Sequence, residues 1–225
     1  MGLKLSMEDY LKPSEYCDYT NPEIIAKAKE LTKNDKTPKE MALSIFHFVR
    51  DQIKFMMVSD DDKASDTLIK RNGDCGTKTN LQIALLRAAN IPARYHVASL
   101  RKECIKGIVS RLFYALTPKI IPHHPWCECY LSEKWISCDT LLDKTLVEIL
   151  YKKGIFTKKE IQTIDWDGEN DLNTMIHWMI EDKGTFTSLD EIILEIEEDS
   201  KNFPMKLVRF VVNKSNNHTD KLRKQ

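Results

Sequence analysis

Gly73-Asp74-Cys75-Gly76-Thr77-Lys78-Thr79-Asn80 reads as a tight turn feeding a helix. Asn72-Gly73 ends the segment before it, and Leu81, Leu85, Ala88 and Ala89 recur at helical spacing after it. The helix is expected to stop at Asn90, ahead of Pro92. Cys75 thus falls in the first turn of a helix. There it meets the positive end of the helix dipole and backbone N–H groups without intrahelical partners. Both favour thiolate, the nucleophilic form. The flanking glycines leave room for a substrate backbone to approach. Against this stands the ordinary role of a free cysteine as a small buried apolar residue.

A second stretch, His124-Pro125-Trp126-Cys127-Glu128-Cys129-Tyr130, alternates as a strand does. His124, Trp126, Glu128 and Tyr130 share one face, and Cys127 and Cys129 the other. Lys134 to Asp139 reads as a partner strand. With Ser132-Glu133 as a two-residue turn, Tyr130 opposes Trp135, Glu128 opposes Ser137 and Trp126 opposes Asp139. Asp139 then lies one diagonal step from His124, about 7–8 Å at the backbone and within reach of two side chains. A slip of one residue would separate the faces. His123 competes with His124 as a base, and the alternation favours His124. His47 and His96 sit in core-like patterns and read as structural. The same register opposes Cys127 and Cys138. With Cys129 they read as core packing against a helix, and zinc is the sharper alternative.

Around these stretches the chain is organised simply. Pro22 follows Asn21 as a first helical residue, and Thr37 with Glu40 forms a capping box ahead of Met41, Ile45, Phe48, Val49 and Ile53. Asp60, Asp61 and Asp62 mark a polar loop, with calcium conceivable but without the EF-hand spacing. Ser65 to Arg71 is a short helical turn. Ala93 to Leu100 is a strand, and residues 101–122 form a long surface connection. From Asp143 onward the pattern is helical, with stripes at Leu146, Ile149 and Leu150, at Leu172, Met175, Ile176 and Met179, and at Leu189, Ile192, Ile193 and Ile196. The expected organisation is a core over 1–142 and a helical C-terminal extension over 143–225 packed on it.

Lys+Arg and Asp+Glu are both 34 in 225 residues, so no net field argues for nucleic acid or an anionic membrane as partner. Eight acidic residues between Glu181 and Ser200 face six basic residues between Lys206 and Gln225. These read as solvated faces, or as segments that attract each other or an acidic partner. The first residues lack an apolar run of signal-peptide length, and six cysteines then read as free thiols of a cytoplasmic protein.

Several separated pieces, in order, resemble the core of the transglutaminase-like superfamily over residues 40–142. They are Asp66-Thr67-Leu68-Ile69, Gly73-Asp74-Cys75, the run Leu85-Leu86-Arg87-Ala88-Ala89-Asn90-Ile91-Pro92-Ala93-Arg94, His124 with Trp126 and Glu128, and Trp135 with Asp139. The resemblance implies an α+β, papain-like core in which an antiparallel sheet packs on the Cys75 helix. It implies Cys75 as nucleophile, His124 as base and Asp139 as orienter, with the Cys75 N–H as one oxyanion donor. Trp126, Gly76 and Asp74 are the expected substrate-binding or supporting positions. The animal transglutaminases carry glutamine and tryptophan beside the nucleophile, where this chain has Asp74 and Gly76. They also use a tryptophan upstream of it, whereas Trp126, Trp135, Trp166 and Trp178 all follow Cys75. The implied activity is cleavage or transfer at an amide or isopeptide bond of a peptide or protein, through a thioester, with no cofactor or metal. The alternatives are a non-catalytic scaffold on the same fold and a thiol acyltransferase of the arylamine acetyltransferase type.

Overall fold

Local chemistry starts the first helices. The computed structural model describes residues 6–58, 62–193 and 205–225, without the side chains of 205–209. Helix α1 (Pro22–Thr32) opens on Asn21, whose side chain accepts from the Glu23 N–H at 2.9 Å. Helix α2 (Pro38–Gln52) opens on the expected capping box: Thr37 Oγ1 accepts from the Glu40 N–H, and Glu40 Oε2 accepts from the Thr37 N–H. Helix α3 (Ala64–Lys70) stops at Arg71, which adopts φ +57° and turns the chain back. Strand β2 (Asn72–Gly73) then pairs in parallel with β1 (Lys54–Phe55). This short ladder, absent from the sequence reading, fixes the approach to Cys75. Asp60 and Asp61 lie outside the described residues.

Helix α4 (Cys75–Ala88) is the centre of the molecule. It is not amphipathic: every residue from Thr77 to Arg87 is buried. Helices α1 to α3 cover one side and the main sheet the other. Its polar residues are therefore anchors, as buried polar groups must be. Asn80 accepts from the Tyr95 hydroxyl at 2.6 Å and donates to the Tyr16 carbonyl. Gln82 donates to the Cys138 carbonyl and accepts from Thr140. Arg87 donates to the carbonyls of Lys12, Ala93 and Thr187. Asn90, at φ +60°, makes the turn that ends the helix.

The main sheet is antiparallel in the order β5-β4-β3-β6, with β3 (Ala93–Arg101), β4 (Ile120–Leu131), β5 (Lys134–Ser137) and β6 (Met179–Phe186). Tyr130 opposes Trp135 and Glu128 opposes Ser137, as the sequence predicts. The turn holds Ser132 and Glu133 at φ +49° and +65°. Positive φ at both residues is what a two-residue hairpin of this twist requires, even without glycine. Pairing then ends. The Cys138 N–H still reaches the Cys127 carbonyl, but the Asp139 N–H donates to the Leu172 carbonyl. Asp139 leaves the hairpin before it can oppose Trp126.

Three expectations are corrected. Strand β4 begins at Ile120, not near Pro125, and residues 101–119 contain a short helix, α5 (Arg111–Leu116). The stripe at Leu172, Met175, Ile176 and Met179 is not an α-helix. Leu172 bridges Cys138, a single 3-10 turn covers Ile176–Trp178, and Met179 opens β6. The C-terminal part thus supplies a strand to the main sheet beside its helices. The open edge of β3 selects that outcome, since its backbone groups need partners that helical spacing cannot reveal. Helix α6 (Lys144–Lys152) buries Leu146 and Leu150 as read. Residues 189–193 are helical and bury Leu189, Ile192 and Ile193, while Ile196 lies outside the described residues. The final helix is α7 (Met205–Arg223). Among the described residues, no helix is long and apolar enough to cross a membrane.

Candidate active site

Cys75 is the first residue of α4, and Asp74 is its cap. Asp74 Oδ1 accepts from the Thr77 N–H at 3.1 Å, and Thr77 Oγ1 accepts from the Asp74 N–H at 3.0 Å. Gly73 is required by this box. A Cβ there would lie 2.4 Å from Thr77 Oγ1 and 3.3 Å from Thr67 Cγ2. At Gly76 a Cβ would meet only Asp74 Oδ1, at an ordinary 3.5 Å. The first glycine therefore serves the turn. Gly73→Ala is expected to destabilise the fold by about 1–3 kcal/mol through overpacking. Gly76→Ala should stabilise it by up to about 1 kcal/mol through helix propensity. Urea titrations of both variants check the contrast, and equal midpoints would refute it.

The electrostatics of Cys75 differ from the sequence expectation. The side chain is half-buried, and burial followed by the Asp74 charge pushes the thiol well above its ordinary value, against a bond from the Gly76 N–H. The favourable helix terminus is outweighed by desolvation and by the carboxylate that caps it. His124, opposite Ala98 on β4, is 3% exposed. Burial pushes its imidazole down, and the Asp139 charge opposes that shift. Its Nε2 has no hydrogen-bond partner among the described residues. Thiol and imidazole thus rest uncharged at neutral pH.

Cys75, His124 and Asp74 line one cavity of about 290 Å³. His123 is not among its lining residues, and its Nε2 lies 3.0 Å from Lys183 Nζ. Asp139 is 2% exposed and is not among the residues that line the cavity. Its Oδ1 accepts from the Leu141 N–H at 2.9 Å, and its Oδ2 accepts from the N–H and hydroxyl of Thr174 at 3.1 and 2.5 Å. It acts on both His124 and Cys75 through its charge. The sequence reading missed Thr174, which lies 35 residues downstream of Asp139 on a segment read as helix.

Profile comparison matches residues 25–140 to the transglutaminase-like superfamily. That stretch exceeds half of the chain and contains Cys75, His124 and Asp139. The chain belongs to the transglutaminase-like superfamily. No curated protein matches it. Among solved structures, it is similar to a candidate cysteine protease from Cytophaga hutchinsonii, with 26% identity and a TM-score of 0.47, over 61% of this chain and 43% of that one. It is also similar to the periplasmic domain of TgpA from Pseudomonas aeruginosa, with 18% identity and a TM-score of 0.44, over 68% and 51% of the two chains. The chain therefore spans about half the length of these structures or less.

The transglutaminase-like chain puts the remaining expected residues to structural use. Trp126 stacks on His96, with ring centroids 4.3 Å apart, and donates to Ser137 at 3.1 Å. Glu128 accepts from Arg94 and His96 at 2.7 Å each, and His96 Nε2 lies 2.7 Å from Asp182. Glu128 and His96 therefore tie β3, β4 and β6 together. A larger cavity of about 490 Å³ lies on that side, lined by His96, Trp126 and Asp182, and neither Cys75 nor His124 reaches it. Cys127, Cys129 and Cys138 are buried in the core cluster that also holds α4, as core packing requires. Burial raises the thiols of Cys127 and Cys138. At Cys129 a bond with Cys138 raises it first.

Proposed function

We propose that this chain is a cysteine-dependent hydrolase of amide or isopeptide bonds, with Cys75 as nucleophile, His124 as general base and Asp139 as the group that orients the imidazole. The observation that carries this reading is the shared cavity: a cysteine at a helix start and a buried imidazole with an unpartnered nitrogen open onto the same space. In the first step Cys75 Sγ attacks the carbonyl carbon while His124 takes the thiol proton. The tetrahedral oxyanion forms near the Cys75 N–H, which has no intrahelical acceptor at the first helical position. The C–N bond then breaks, and the amine leaves with the proton from His124. Water attacks the thioester, again with His124 as base, and releases the carboxylic acid and the thiol.

Because both groups rest uncharged, proton transfer accompanies attack rather than preceding it. Asp139 stabilises the imidazolium that forms. Its carboxylate oxygens each have capacity for two hydrogen bonds, so Oδ1 retains room for the His124 N–H. Hydrolysis is favoured over transfer because water competes for any thioester unless a site admits an amine and excludes water. The experiment is acylation by p-nitrophenyl esters of N-acetyl amino acids, read by nitrophenolate release and by intact mass. A single acyl adduct on Cys75, absent in Cys75→Ala, is the expected result. Failure of every such ester to acylate Cys75 would sink the proposal.

A further inference from the structure

The walls of the Cys75 cavity carry information that the catalytic groups do not. Among the described residues that line it, the side chains other than Asp74, Cys75, Thr117 and His124 are all apolar or sulfur-bearing, with no lysine, arginine, asparagine or glutamine. The apolar residues come from distant parts of the chain: Phe55, Leu100, Ile108, Phe113, Ile121 and Met175. Of the polar groups, Asp74 is spent on capping α4, and Thr117 donates its hydroxyl to the Phe113 carbonyl at 2.8 Å. The unpartnered His124 Nε2 is needed for the Cys75 proton, so the described lining offers little to pair a charged or carboxamide group that would lose its water on entering.

The cavity is also held in shape. Helix α7 grips the two segments that form its rim. Asn216 accepts from the Met57 N–H at 2.9 Å and donates to the Met57 carbonyl at 2.8 Å. Thr219 donates to the Ile108 carbonyl at 2.9 Å, and Ser215 Oγ accepts from the Ser110 N–H at 3.3 Å. The volume of about 290 Å³ sits at the low end of the range of ligand pockets, roughly 300–1,000 Å³. It takes one large side chain rather than a run of peptide.

We propose that this cavity is the specificity pocket for the residue whose carbonyl is attacked, and that it selects a bulky apolar side chain, aromatic or branched aliphatic, over glutamine and over acidic residues. This rests on the proposed role of Cys75. A substrate carbonyl held at Cys75 places its own side chain against the walls of the same cavity. Glutamine, the acyl donor expected of a protein-crosslinking enzyme, would bury its amide among largely apolar side chains. Glutamate would add a charge beside Asp74.

The test is a panel of N-acetyl amino-acid p-nitrophenyl esters on the full chain: phenylalanine, leucine, alanine, glutamine and glutamate. Discrimination in an apolar pocket amounts to roughly 10–200-fold per methylene. The phenylalanine and leucine esters are therefore expected to acylate Cys75 at least about 10-fold faster than alanine, with glutamine and glutamate slower still. Acylation by all five at comparable rates, or fastest with glutamine or glutamate, would overturn the pocket assignment and leave the role of Cys75 standing. No acylation by any of them would remove both. A second variant reads the pocket directly. Thr117 is half-exposed at the end of α5, so Thr117→Arg adds a cation at the lining without disturbing the core. Its glutamate-to-leucine rate ratio should rise at least about 10-fold, and an unchanged ratio would count against the assignment.

Discussion

His124→Ala is expected to lower the rate of Cys75 acylation by about 10²–10⁴-fold, the usual contribution of a positioned general base. The fall should appear at neutral pH, where the buried imidazole is uncharged and able to accept a proton. Iodoacetamide alkylation of the resting thiol should respond far less to the same substitution. That thiol is held protonated by burial and by Asp74, so its alkylation should rise through the alkaline range with no acid plateau. A plateau below pH 7, abolished in His124→Ala, would show a resting thiolate–imidazolium pair and refute the base mechanism in this form. Asp139→Asn separates orientation from mere packing. The Asp139 charge is what opposes the downward shift of His124, so removing it lowers the imidazole pKa further. The inflection at which acylation switches on with rising pH should move to lower pH, with a smaller loss of rate than in His124→Ala. An unmoved inflection would mean that Asp139 is structural.

Much of this site was legible because it is local. Cap residues are read from a few neighbours, and so Thr37 and Asn21 fall where expected, as does the start of the helix at Cys75. The hairpin register followed from alternation, and it holds from Tyr130 to Glu128. It fails at the Trp126–Asp139 pair, because Leu172 captures Asp139 from across the chain. No local pattern encodes that competition. The sign of the Cys75 shift failed for a similar reason. The helix terminus is visible in sequence, but the desolvation that outweighs it depends on walls built by Leu100, Ile108 and Leu142 from three other segments. Helical spacing at Leu172 to Met179 misled because Leu172 is buried in one core cluster and Met175 and Trp178 in another, without forming a helix. The all-round burial of α4 was hidden because its anchors, Asn80, Gln82 and Arg87, resemble a wet face until their partners are known.

The second large effect concerns the joint that holds α7 to the core. Arg223 Nη2 donates to Asp143 Oδ2 at 2.6 Å and to the Phe55 carbonyl at 2.8 Å, and both charged side chains are under a tenth exposed. Asp143 also accepts from the N–H groups of Phe55 and Leu146. Beside them Lys78 is buried in α4, donates to the Ile53 carbonyl at 2.6 Å, and is lowered to about 7, first by burial and then against the pull of Asp143 and with the push of Arg223. Asp143→Ala leaves Arg223 buried beside Lys78, with only the longer contact to Asp220, at 3.4 Å, to balance its charge among the described residues. It should cost about 3–5 kcal/mol, as removing one partner of a buried ion pair does. Arg223→Met should cost less, because Lys78 loses a repulsive neighbour and can protonate to serve Asp143 in its place. The pH dependence distinguishes this substitution of cations from simple loss. Lys78 has an ordinary value of 10.5 and a folded value of about 7, so above pH 7 the unfolded chain binds more protons than the folded one. Stability should therefore rise with pH between about 7 and 8.5, by up to about 1.4 kcal/mol per unit, before thiols titrate. In Arg223→Met the folded value of Lys78 moves up toward its ordinary one, and the slope should flatten. Urea unfolding of both proteins across that window measures it. Parallel slopes would show that Lys78 does not take over from Arg223.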